Sequence, residues 1–295
     1  MQDRQVDLFL DTLVNAPIKD DRALMEFPFF SLQKQPRMEP LVYDDGRVQV
    51  RISPGERGLA TIWDKDILIY VASLLNDRIE RGAPVSRTVA FPAYDFLRLT
   101  GRGTSATVYE QMKDALFRLR STTITTSIQS AGDTEDRGFG WIDSFRVLRR
   151  DRADGRRVMQ AIEVTLNDWM FRAIVQERRV LTIDPGYFGL TMGIERRLYE
   201  LARKHLGQQA EWTIALPRLA EKCGTDRDLR KVKADMKRII ERDSLLGYRM
   251  ILIEPPTGIR RGRIDRIMVT FSHRSDTIEL APPCELTRSI ADDDS

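Results

Sequence analysis

Arg227, Arg230, Ala234, Lys237, Arg238 and Glu241 fall on one stripe of a helix at 100° per residue, opposite Val232, Met236, Ile239 and Ile240. Four of those six are basic, and Lys231 adds a further cation nearby. Guanidinium and ammonium groups at this spacing suit phosphates and base edges in the major groove of a duplex, which is wide enough to admit a helix. Ala234, in the middle of the stripe, permits close approach or contact with a thymine methyl. Thr225-Asp226-Arg227-Asp228 precedes the helix in a capping pattern.

Two arginine-rich runs accompany this stripe. One is Arg146 to Arg157, with Arg146, Arg149 and Arg150; the other is Gly258 to Arg266, with Arg260, Arg261 and Arg263. Arginine suits phosphate binding and minor-groove insertion. An earlier helix offers less. Its outer face reads Ala106, Glu110, Lys113, Asp114 and Phe117, and two acids with an aromatic suit phosphate poorly. There the contacts are expected from the helix start, at Arg102, Thr104, Ser105 and Thr107, and from Lys113. Phe117 has two readings, an interface with a second copy or a cover inside its own domain. Neutralising about 8 phosphates would give log K a slope near −7 against log salt.

Residues for bond-breaking chemistry are missing. No Gly-x-x-x-x-Gly-Lys-Ser/Thr loop is present, and Gly101-Arg102-Gly103 is too short a phosphate cradle. The only histidines, His205 and His273, lie far apart, so a histidine-held metal beside a nicking tyrosine is not expected. Asp64 and Asp66 read as a helix cap and its neighbour rather than a metal pair. Cys223 and Cys284 are too few for a disulfide framework or a zinc cage. No nucleophile–base–orienter set is visible, so neither catalysis nor a cofactor is expected. Met1 to Asp11 carries acids and no long apolar run, and no stretch approaches a membrane span. A reduced, cytoplasmic protein is expected.

These residues need elements to position them. Val48 to Ile52 alternates as a strand. Asp64 is expected to cap a helix through Ile67, Leu68, Val71, Leu74 and Leu75 that ends at Gly82. A short helix (Tyr94 to Leu99), a glycine turn and a long helix to about Arg120 follow. Thr122 to Ile128 and Phe139 to Leu148 are β-rich around an expected loop at Ser130 to Gly138. Val158 to Leu166 alternates, and a helix from about Asn167 to Glu177 closes this half. The second half repeats the order: helix Gly193 to Leu206, strand Trp212 to Ala215, short helix Pro217 to Lys222, Gly224, long helix Leu229 to Arg242, and strands Arg249 to Ile253 and Ile264 to Phe271.

The repeat extends to the pattern itself. Val108, Met112, Ala115 and Leu116 recur at i, i+4, i+7 and i+8, as do Val232, Met236, Ile239 and Ile240. Met-Lys stands at the second position of both. A short helix, a turn, a long helix and a two-stranded ribbon make a helix-turn-helix with a wing. The expected fold is α+β, with two tandem winged-helix domains: an N-terminal domain over 27–182 and a C-terminal domain over 183–275. A flexible N-terminal arm (1–26) and a frayed tail (276–295) flank them. The later domain is expected to be the principal DNA reader.

Phe29-Phe30-Ser31-Leu32 and the run Gly58-Leu59-Ala60-Thr61-Ile62-Trp63-Asp64-Lys65-Asp66-Ile67-Leu68-Ile69-Tyr70 resemble the plasmid replication initiator protein A family. The similarity continues through Phe91 to Arg120 and covers most of the chain. The resemblance implies a protein that binds repeated duplex sites (iterons) at a plasmid origin, opens an AT-rich segment and helps load the host replicative helicase. It also implies a monomer on iterons and a homodimer that represses its own promoter. A winged-helix transcriptional regulator is the alternative. Gln5-Val6-Asp7-Leu8-Phe9 looks like the Gln-x-x-Leu-Phe peptide that docks on the bacterial sliding clamp through Gln5, Leu8 and Phe9. Its other reading is an amphipathic turn packing Leu8 and Phe9 on the body.

Overall fold

The computed structural model describes residues 13, 16–46, 48–130, 133–151, 157–255 and 264–274. The chain opens with β1 (Lys19–Asp21) and α1 (Arg22–Glu26), then β2 (Leu41–Asp44) and β3 (Gln49–Ser53). Next come α2 (Lys65–Glu80), β4 (Thr88–Pro92), α3 (Ala93–Leu99) and α4 (Ala106–Ser121). Four strands follow, β5 (Thr123–Ser130), β6 (Asp133–Phe139), β7 (Ile142–Asp151) and β8 (Arg157–Leu166), then α5 (Asp168–Val175) and β9 (Val180–Thr182). The last part holds α6 (Gly193–Leu206), β10 (Glu211–Ala215), α7 (Leu216–Cys223), α8 (Leu229–Arg242), β11 (Tyr248–Ile253) and β12 (Met268–His273). No helix among the described residues is long and apolar enough to cross a membrane.

The order helix, strand, short helix, long helix, two strands occurs twice. It runs α2-β4-α3-α4-β7-β8 and again α6-β10-α7-α8-β11-β12. The sheets agree as well: β4-β8-β7 and β10-β12-β11 both pair the first strand with the last, antiparallel, and leave the middle strand at an edge. The long helices bury the stripes their periodicity marks: Met112, Ala115, Leu116 and Leu119 in α4, and Val232, Met236 and Ile239 in α8.

The first unit carries an insertion that the sequence hides. β5 and β6 leave it to join β2 and β3 in a separate sheet, ordered β2-β3-β5-β6. The loop expected at Ser130 to Gly138 is therefore mostly strand, since residues 133–139 pair with β5. β6 lies at the sheet edge and is polar. An edge strand can form a backbone ladder without the alternating apolar side chains that periodicity detects. Buried Trp141 closes the excursion, its backbone N–H donating to the Leu119 carbonyl at 3.1 Å. Phe30 stacks on it at 4.8 Å, and Phe29 meets it edge-on at 5.2 Å.

The expected arm over 1–26 needs correction at its end. β1 pairs antiparallel with β9, and Ile18 and Met25 are buried in the hydrophobic cluster of the second unit. Residues 18–26 are thus part of the body, held by apolar burial that a five-residue helix cannot advertise in sequence. Earlier arm positions, including Gln5, Leu8 and Phe9, and the expected tail over 276–295 lie outside the described residues.

A buried ionic junction joins the two units. Lys65, at the start of α2, reaches Asp20 at 2.6 Å and Glu200 of α6 at 2.8 Å, with all three side chains at most 2% exposed. Tyr187 donates to Glu200 at 2.6 Å, and Arg197 reaches it at 3.1 Å. Arg196 of α6 crosses to Asp66 at 2.7 Å. Gly193 is required here, because a Cβ on it would lie 2.2 Å from the Leu32 carbonyl oxygen.

The expected cap by Asp64 is also corrected. Its carboxylate makes no capping bond to α2; it accepts from the Thr61 N–H at 2.8 Å and holds Arg118 of α4 with both oxygens at 2.7 and 2.8 Å. A guanidinium fork offers two charge-assisted bonds where a cap offers one.

The junction predicts a pH effect. Burial pushes Asp20 up to about 7, against the pull of Lys65, which Glu200 also shares. Burial acts on Glu200 too, yet Lys65 and Arg197 together hold it below the usual range. The folded chain thus favours the protonated form of Asp20. The stability this contributes is full below about pH 4 and is lost as pH rises through about 7. From pH 5 to pH 8 the melting temperature of wild type should fall relative to Asp20→Asn by a few degrees. Parallel melting curves across that range would count against the assignment.

Candidate nucleic-acid interface

α8 begins where Asp228 accepts a hydrogen bond from the Arg230 N–H at 2.7 Å. This satisfies one of the donors a helix start leaves open. The turn before it rests on Gly224, whose φ of +69° favours glycine and whose Cβ, if present, would lie 2.5 Å from the Pro28 side chain. The helix ends at Asp243 in the left-handed region, φ +46°. These constraints turn Arg227, Arg230, Lys231, Ala234, Lys237, Arg238 and Glu241 to the surface, all exposed.

The cations of this face differ in freedom. Arg230 and Lys231 make no ion pair among the described residues. Lys237 lies 3.9 Å from Glu254, which Lys233 holds at 2.8 Å, so the end of β11 is tied to the flank of α8. Arg227 and Arg238 both reach Asp235, the latter at 3.4 Å. Arg37, in the segment before β2, pairs with Asp226 at 3.2 Å. Arg260, Arg261 and Arg263 lie outside the described residues.

Sequence reasoning missed Asp235, Arg37 and Lys233. Asp235 and Lys233 sit at the edges of the projected stripe, where a helical wheel assigns neither face. Arg37 comes from a segment distant in sequence and carries no periodic signal. Arg249, exposed on β11, was also not singled out.

In the first unit the candidates divide. Thr104, Ser105 and Thr107 are exposed at the start of α4. Ser105 stands at the N-cap without using its hydroxyl there. Arg102 turns inward instead, donating to Asp66 at 2.6 Å and to the Trp63 carbonyl at 2.7 Å, because a buried carboxylate outcompetes solvent for its guanidinium. Lys113 pairs with Glu110 at 2.6 Å, and Arg149 of β7 approaches the same acid at 3.8 Å. The first pair lies within α4, and the second brings the ribbon toward the helix around the same acid. Arg146 pairs with Glu163 across the ribbon at 2.8 Å. The Arg150 side chain lies outside the described residues. Phe117 is 38% exposed, with Arg57 over its ring at 4.1 Å and Phe145 edge-on at 5.0 Å, so its own domain covers much of it.

The groups considered for catalysis have other surroundings. His205 stacks on Trp212 at 4.5 Å, and burial pushes its imidazole down to about 3. Cys223 is buried, which pushes its thiol up to about 12. Asp64 and Asp66 are held by arginines. Among the described residues no three His, Cys, Asp or Glu side chains group to hold a metal.

Comparison with known proteins places this arrangement. The family described as Replication initiator protein A matches residues 19–250. A protein of Wigglesworthia glossinidia brevipalpis named "Putative replication protein" is 34% identical over 252 residues, covering 85% of this chain and 86% of the relative. Among solved structures, domains 2 and 3 of RctB superimpose with a TM-score of 0.64 at 12% identity, over 85% of this chain and 98% of that one. The Pi initiator protein in complex with iteron DNA gives 0.50 at 16% identity, over 74% and 92%.

Proposed function

This chain belongs to the replication initiator protein A family, and on that premise we propose that it starts plasmid replication by gripping repeated duplex sites at the origin with two tandem winged-helix domains. The observation that carries the reading is the exposed basic face of α8 beside the ribbon β11–β12, on a unit whose topology occurs twice. The domains are 27–182 and 183–275, and residues 18–26 serve as a strap between them. The Pi initiator, similar in fold, is bound to iteron DNA, which supports repeated sites as the target here. The second unit reads through Arg230, Lys231, Ala234, Lys237, Arg227 and Arg238, with Arg260, Arg261 and Arg263 as its wing. The first unit contributes Thr104, Ser105, Thr107, Lys113, Arg146, Arg149 and Arg150. Arg102 is left out because its guanidinium is engaged inward.

Origin opening is then mechanical rather than catalytic. Bending a site costs about 1–6 kcal/mol, offset by the extra backbone contacts that bent DNA offers. Strain placed beside an AT-rich tract favours melting, and the host helicase loads on the opened strands. The protein acts in the cytoplasm, where the plasmid is.

A plasmid carrying this gene and its cognate origin, with no other initiator, should be maintained. Purified protein with supercoiled origin DNA and magnesium should leave it supercoiled. Intact operator binding with no plasmid maintenance would instead favour a transcriptional regulator, and a nicked or relaxed product would mean an enzyme.

The N-terminal peptide completes the proposal. Gln5, Leu8 and Phe9 dock on the host sliding clamp, the apolar pair entering a hydrophobic pocket. Leu8→Ala/Phe9→Ala should weaken clamp pull-down by about tenfold or more, as loss of two apolar anchors would, and leave duplex affinity unchanged. Undiminished pull-down rejects the docking role.

A further inference from the structure

We infer that Asp235 is a positioning residue for DNA reading, an acid that holds Arg227 and Arg238 in place on the α8 face; this rests on the proposal that α8 reads the duplex. A carboxylate near a polyanion is repulsive, so its presence there asks for a reason. The Asp235 side chain is only 5% exposed, and its two oxygens are divided between two guanidinium groups. Arg227 precedes the helix, whereas Asp235 lies two turns into it and Arg238 one turn further. One buried acid therefore ties a turn residue to the middle of α8. It also draws together two arginines whose side chains remain 44% and 60% exposed. That exposure leaves both side chains within reach of a base edge or phosphate. Arginines held this way lose less freedom on binding than free ones.

The consequence is a split between two affinities. Asp235→Asn removes a negative charge near the phosphates, so non-specific duplex binding should strengthen by about twofold. The amide keeps one acceptor but turns N–H donors toward the second guanidinium, so the arginine pair loosens. Specific binding should then fall by about tenfold, one base contact's worth. A purely structural role would weaken both affinities together.

The test titrates the full chain with cognate and scrambled duplexes at several salt concentrations, with melting curves for each variant. Asp235→Asn should lower the specific-to-non-specific ratio, and an unchanged ratio overturns the inference. Arg227→Lys/Arg238→Lys preserves charge but not the planar fork, and decides the question if Asp235→Asn fails to fold. It should lower the ratio similarly, and an unchanged ratio again overturns the inference. In that background Asp235→Asn should have no further effect on the ratio; a second drop of the same size means that Asp235 does not act through the arginines. Wild type without preference for cognate DNA, or full affinity in Arg230→Ala/Lys237→Ala, would fell the α8 reading itself and this inference with it.

Discussion

Arg230→Ala/Lys237→Ala should bind the cognate duplex at least about 30-fold more weakly than wild type while melting at the same temperature. Each good base contact contributes about 1–3 kcal/mol, so losing two gives about 2–6 kcal/mol. Even if both residues touch only phosphate, the plot of log K against log salt should become shallower by about 2. The slope therefore distinguishes base reading from charge alone. Neither side chain supports the fold. Both are exposed, Arg230 has no ion pair among the described residues, and Lys237 has only a 3.9 Å approach to Glu254. Surface changes of this kind usually alter stability by no more than about 0.5 kcal/mol. Quantitative gel shift or anisotropy would read the affinity, and calorimetry the melting point. A folded variant with wild-type affinity and slope would remove α8 as the reading element.

The second large effect is on stability. Lys65→Met should destabilise the chain by about 3–5 kcal/mol at pH 8, because it strips the ammonium from two buried carboxylates. For a chain of this size that is a drop of about 5–8 °C in melting temperature. The loss should be smaller at pH 5, since Asp20 carries its proton there and needs no counter-charge. Adding Asp20→Asn to Lys65→Met should recover much of the loss, since Glu200 keeps Arg197 as its counter-charge and no carboxylate is left stranded. If Lys65→Met melts like wild type at both pH values, the junction does not hold the units together.

The junction also shows how far local signals reach. The run Ala60-Thr61-Ile62-Trp63-Asp64-Lys65-Asp66 was legible as a family mark and a helix start. Its physical use was not. Thr61 and Asp64 bond each other, Asp64 also holds Arg118, Lys65 meets an acid 135 residues later, and Asp66 collects Arg102 and Arg196. A helical projection assigns a charged residue to solvent unless it knows what lies opposite. For the same reason Arg102 read as a phosphate contact and proved to be an internal tie.

What this sequence determined by itself was periodic. Two helices with one apolar pattern, each behind a short helix and a turn and ahead of a ribbon, were readable because burial on one side imposes a 3.6-residue repeat. The basic face of α8 followed from that phase, since whatever is not buried must face out. Tertiary structure alone decided the rest: the detour of β5 and β6 into a second sheet, the capture of residues 18–26, and the acid that groups Arg227 with Arg238. Each depends on a partner distant in sequence or on a polar strand or side chain that has no period. Such contacts exist only once the chain has closed on itself.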